Sequence, residues 1–138
     1  MLTDDRRSAL IRDEIDLKAA SELYSYMHTK ATVEIDPENP NVAILTQNGT
    51  KFKVMIDVQG EEIENYTFKV VAAESRADYG VKDSVNTGIC KLEIYVKTKA
   101  AGKINITMKV IGYNDPAADK ALITTPIAQW SADMIPDG

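Results

Sequence analysis

From residue 31 to residue 113, apolar and polar side chains alternate with period two, and turn-forming residues interrupt the alternation. Phe52, Val54, Ile56 and Val58 are separated by Lys53, Met55 and Asp57. Leu92, Ile94 and Val96 are separated by Glu93 and Tyr95, and Ile104, Ile106, Met108 and Val110 by Asn105, Thr107 and Lys109. Successive side chains of a strand point to opposite faces, so each run describes a strand with one buried face and one wet face. Weaker runs at residues 32–35, 42–46 and 66–73 extend the set. The breaks have turn chemistry. Asp36-Pro37-Glu38-Asn39-Pro40-Asn41 loses ladder donors at its prolines, Asn48-Gly49 signals a type I′ hairpin, and residues 98–102 fit a short hairpin loop. Residues 74–88 lack a strong period and read as a long loop with a short strand near 81–85. Strands that follow one another without a helical period between them predict a mainly β chain folded as an antiparallel β-sandwich.

The N-terminal segment reads differently. Ile11, Ile15, Ala19, Leu23 and Met27 recur at every fourth position, flanked by Leu10, Ala20 and Tyr24, and this spacing predicts an N-terminal amphipathic helix over residues 3–27, whole or broken near Asp16. Thr3 is placed to cap it, Asp4 and Asp5 complement its dipole, and Glu14 with Lys18 forms an i,i+4 pair. At the other end Pro116, Pro126 and Pro136 punctuate a segment bearing Leu122, Ile123, Ile127, Trp130, Met134 and Ile135. It reads as an extended tail with a short helix at 117–122. The expected organisation is a helical arm at 1–29, a sandwich at 30–114 and an acidic tail at 115–138.

Composition limits the partners. The 138 residues, 44% hydrophobic and 27% charged, suit one folded domain. The net charge is −5, and residues 114–138 carry one lysine against four aspartates. A chain with pI near 4.9 and no run of Lys or Arg lacks the cationic face that nucleic acid or an anionic membrane requires, so neither is expected as a partner. No apolar stretch approaches the length of a membrane span, and Met1-Leu2-Thr3-Asp4-Asp5-Arg6-Arg7 has no apolar core of a secretion signal, so cytoplasmic synthesis is expected. Cys90 is the only cysteine, which excludes an intrachain disulfide.

Catalytic chemistry has little to stand on. The single histidine, His28, has no cluster of ligands at metal-binding spacing, and Ser8, Ser21, Ser25, Ser75, Ser84 and Ser131 lack nucleophile-elbow glycines. Asp57, Glu61, Glu62 and Glu64 do not follow a calcium-loop order and read as solvated charge. Asn48-Gly49-Thr50, Asn65-Tyr66-Thr67 and Asn105-Ile106-Thr107 match the glycosylation pattern, but strands and turns rich in these residues produce it by coincidence. No catalytic residue, cofactor or metal is expected. Trp130, the only tryptophan, is the sharpest signal: set in an acidic tail, it either anchors in a neighbour's pocket or caps the chain's own core. Arg6 and Arg7, in the first turn of the expected helix, oppose its dipole and hint at an acidic partner.

Three stretches carry a family likeness: Val33-Glu34-Ile35-Asp36-Pro37 with residues 42–46, then Gly49-Thr50-Lys51-Phe52-Lys53-Val54, and Ala100-Ala101-Gly102-Lys103-Ile104-Asn105-Ile106-Thr107-Met108. In this order they resemble bacterial immunoglobulin-like domains of surface adhesins and bacteriophage virion proteins, over about residues 32–113. The resemblance implies an immunoglobulin-like antiparallel β-sandwich with a structural or adhesive role. The expected function is a non-enzymatic structural protein of a virus particle, a bacteriophage capsid-decoration or head/tail accessory subunit assembled in the host cytoplasm. Its expected partners are other virion proteins or copies of itself, as a homo-oligomer or within a larger assembly. The expected docking residues are Arg6, Arg7, Ile11, Ile15, Leu23, Ile127, Trp130, Met134 and Ile135. Alternatives are an adhesion or carbohydrate-binding module and a small intracellular inhibitor.

Overall fold

The alternating runs do become strands. A computed structural model describes residues 1–73 and 88–130, and over these the chain forms β1 (Leu2–Thr3), β2 (Ser8–Leu17), β3 (Glu22–Thr29), β4 (Thr32–Ile35), β5 (Val42–Gln47), β6 (Thr50–Gln59), β7 (Ile63–Ala72), β8 (Cys90–Thr98) and β9 (Gly102–Gly112). All pairings are antiparallel. Sheet A has the order β1-β2-β9-β6-β5-β4, and sheet B the order β3-β8-β7. The two form a sandwich-like arrangement whose core lies between them. Val54 and Ile56 of β6, Leu92, Ile94 and Val96 of β8, and Ile104 and Ile106 of β9 supply its centre, and Ala43, Leu45 and Phe68 close it.

The N-terminal helix is not formed. β2 and β3 occupy that segment instead, and the reason lies in the spacing itself. An i+4 repeat is also an even repeat, so Ile11, Ile15, Leu23 and Met27 fall on one face of a strand as readily as on one ridge of a helix. Sheet pairing decides between the two. β2 matches β9 residue for residue from Ser8↔Ile111 to Leu17↔Gly102, and β3 matches β8 from Glu22↔Lys97 to Thr29↔Cys90. Without them, one whole side of each of these strands would leave its N–H and C=O groups unpaired. Thr3 is accordingly no helix cap. It pairs with Ser8, side chain to side chain as well as along the ladder, around a turn in which Asp4, Asp5 and Arg6 all have positive φ (53°, 56° and 68°).

Other turns divide between agreement and correction. Asn48 and Gly49 have φ of 52° and 77° and join β5 to β6 with Gln47 opposite Thr50, which is the two-residue type I′ hairpin the dipeptide signals. The loop at 98–102, expected to close a hairpin, instead carries the chain from β8 in sheet B to β9 in sheet A. The links from β2 to β3, β3 to β4 and β6 to β7 cross between layers in the same way. In the tail, turns replace the expected helix at 117–122, and a single 3-10 turn spans Ile127–Gln129. The expected strand near 81–85 lies outside the described residues.

Candidate docking surfaces

Part of the outer face of sheet A is buried as well as its inner face. Leu10, Arg12, Thr107, Lys109 and Ile111 point away from the core, yet each is at most 8% exposed. Ala117 and Ala118 of the tail pack with Ile111 and Met55 to form a small second cluster. Ion pairs fill the remainder. Lys109 Nζ lies 2.9 Å from Asp4 Oδ2, with both side chains nearly buried, and Lys120 reaches Asp4 Oδ1 at 3.6 Å. Arg12 donates to Thr107 Oγ1 at 2.8 Å and to Glu14 Oε1 at 3.3 Å. Burial acts to raise the pKa of Asp4, but hydrogen bonds from Lys109 and Ser8 and the charges of Lys109 and Lys120 outweigh it and bring it down to about 2. Glu14 is also held below the usual carboxylate range, first by the Ile127 N–H it accepts and then by Arg12. Asp57 Oδ2 is buried without a hydrogen-bond partner among the described residues.

These contacts locate the expected docking residues. Arg6 and Arg7 sit exposed in the left-handed turn, and Arg7 pairs with Asp115 of the tail at 3.4 Å. Ile11 is 49% exposed on β2. Ile15 and Leu23 pack against the core between the sheets. Ile127 donates its N–H to Glu14, which ties the tail to β2, while its side chain stays 43% exposed. Trp130 is half-buried, its Nε1 donating to Thr125 O at 2.8 Å around the 3-10 turn. Met134 and Ile135 lie outside the described residues. Arg7, Ile127 and Trp130 therefore belong to segments fastened to the outer side of sheet A, and Ile15 and Leu23 to the interior.

The opposite surface holds a group that the sequence reading passed over. With β3 a strand, Tyr24 and Tyr26 project from the outer face of sheet B, and Tyr24 stands directly across from Tyr95 of β8. The Tyr24 and Tyr26 rings are near-parallel with centroids 6.1 Å apart, and Tyr24 to Tyr95 is 5.0 Å. Lys91 Nζ lies 4.3 Å from the Tyr26 ring centroid, a cation–π distance. The Tyr95 hydroxyl donates to Glu22 at 2.7 Å. That bond first, and then burial, push its pKa up to about 12. The signal for this face was the Tyr-Ser-Tyr alternation at 24–26, which has meaning only at period two.

No protein-family model matches the chain, and no curated protein does. His28 is exposed on β3 opposite Lys91, and Cys90 Sγ contacts Ala31 O at 3.5 Å. Among the described residues no three His, Cys, Asp or Glu side chains are grouped to hold a metal ion, and no helix is long and apolar enough to cross a membrane. A groove of about 320 Å³ on sheet A is lined by Asp36, Val42, Ile44, Lys53, Tyr113 and Asp119, and its lysine is paired with Asp119 at 3.0 Å.

Proposed function

We propose that this chain is a non-enzymatic structural subunit of a virus particle, a bacteriophage capsid-decoration or head/tail accessory protein with an immunoglobulin-like body. It docks on other virion proteins or on copies of itself, and takes its place in the virion during assembly in the host cytoplasm. Nucleic acid and membrane are not its partners. One observation carries the reading: a body with a filled apolar core also presents large apolar and aromatic side chains to solvent, Leu2, Ile11, Tyr24, Phe52 and Ile127 among them, each at least 43% exposed. Exposed groups of this kind on a rigid scaffold suit contact with a neighbour better than isolation in water. The docking set is accordingly Arg6, Arg7 and Ile11 on the body, with Ile127, Trp130, Met134 and Ile135 on the tail. Ile15 and Leu23 support it from the core. The test is to purify the protein with whatever it binds and to measure native mass while imaging the complex. Many copies in a regular particle are expected, and a free single chain in such material would overturn the reading.

A second reading, an adhesion or carbohydrate-binding module, is favoured by the Tyr24, Tyr26 and Tyr95 cluster, since aromatic rings flanked by Glu22 and Lys91 can stack on a sugar and hydrogen-bond to its hydroxyls. Selective retention on one glycan, lost in Tyr24→Ala, would favour it.

A further inference from the structure

The two layers differ in how their edges are finished. An edge strand presents a row of unpaired N–H and C=O groups, and stable proteins shorten, kink, charge or cover such rows. In sheet A one edge is β1, of two residues, beyond which the outer side of β2 carries the charges of Arg12, Asp13, Glu14 and Asp16, and the other is β4, of four, which runs into the Asp36-Pro37 turn. In sheet B one edge is β7, which has an irregular register between Ile63 and Asn65 and lies against β4 of the other layer. The Tyr66 hydroxyl donates to Asn41 at 3.0 Å across that seam. The remaining edge is β3. It has eight residues in unbroken register with β8, contains no proline or lysine, and has no strand of the described residues on its other side.

The direction of its main-chain groups follows from one bond. Thr98 N–H donates to Ser21 O at 2.9 Å, so Ser21 faces β8. Main-chain groups alternate in direction along an antiparallel strand, so residues 23, 25 and 27 also face β8, and Glu22, Tyr24, Tyr26 and His28 face away. We propose that β3 pairs with β3 of a second copy of this chain, antiparallel about a two-fold axis at Ser25, so that the two B sheets become one continuous layer.

The residues select this register. Outward-facing residues must meet outward-facing residues. Centred on Ser25, Glu22 meets His28 of the second copy and Tyr24 meets Tyr26, and the symmetric pairs complete the set. Centred on Tyr24, the pairing leaves His28 beyond the partner strand, and centred on Tyr26 it leaves Glu22 there. In the Ser25 register a carboxylate faces an imidazole at both ends of the joint, and on the inner side Leu23 faces Met27, which continues the apolar layer. Tyr26 keeps its contact with Lys91. The pairing goes beyond the particle reading and does not rest on it, because a dimer in dilute solution needs no other component.

Sedimentation equilibrium across the micromolar range tests it. The full chain is expected to form dimers. Tyr24→Pro deletes an outward N–H and leaves the β8 side of the ladder intact, so it is expected to be monomeric with an unchanged β circular dichroism spectrum. Glu22→Lys is expected to weaken the dimer about tenfold, and adding His28→Glu to restore it. A chain that stays monomeric throughout, or a dimer that survives Tyr24→Pro, overturns the proposal. Should Tyr24→Pro fail to fold, the charge variants decide: an unchanged dimer in Glu22→Lys, or no recovery in the double variant, overturns it equally.

Discussion

Asp4 shows how much one side chain holds in place here. Its carboxylate meets Lys109 in a nearly buried pair, accepts from Ser8 and draws in Lys120, and so joins the first turn, strand β9 and the tail. Asp4→Asn leaves the Lys109 ammonium buried without its counter-charge and is expected to cost about 3 kcal/mol, read by denaturant unfolding at neutral pH. The pH dependence has a definite sign. The folded-state pKa of about 2 lies below the ordinary value of 3.8, so the stabilisation is fully present above the ordinary value and is lost as pH falls from there through the folded value. Acid titration of stability should show a limb in that window, and Asp4→Asn should flatten it. On the other face, ultraviolet titration should find Tyr95 ionising near its raised value of about 12, and Glu22→Gln should bring it back toward 10. Arg6 offers a separation of effects. Its φ of 68° strains any residue with a Cβ, so Arg6→Gly is expected to raise stability by about 0.5–1 kcal/mol while removing a cation of the proposed docking set.

Strands test the period more severely than single residues do. If β2 and β3 are strands, Ile15→Ala and Leu23→Ala open space between the sheets and should each cost about 2–4 kcal/mol, whereas Ile11→Ala, at a half-exposed position, should cost less than about 1 kcal/mol. A helix with those residues on one stripe would make the three losses similar. The contrast explains what the sequence revealed. The strongly alternating runs at β6, β8 and β9 were legible because their even positions are nearly all apolar and their odd positions mostly polar, and Asn48-Gly49 was legible because both positions require positive φ. The first thirty residues were ambiguous because every fourth residue is also every second residue twice over. What resolves them is pairing with β8 and β9, about sixty to a hundred positions away, which no local window contains. The loop at 98–102 misled for a related reason: a short turn between two strands does not say whether they share a sheet. The tyrosine face was hidden by the same error, since Tyr24 and Tyr26 share a side only once β3 is extended.

At the scale of the whole molecule, both described chain ends are fastened to one side of the sandwich. Leu10 N–H donates to Met1 O at 2.6 Å, and the tail is tied by Arg7 to Asp115, Lys53 to Asp119 and Glu14 to Ile127. Deleting residues 126–138 removes the last of these ties but no residue of the core among those described, so the β circular dichroism and cooperative melting should persist while association weakens. Loss of cooperative melting would instead assign the tail to the core. In its proposed role this body serves as a scaffold that touches its neighbours. Native mass measurement of the assembly isolated from its source, with the chain at full length, tests that most directly. The expected result is a high-mass complex containing this chain in multiple copies at fixed stoichiometry, and a lone protomer at every concentration would contradict it.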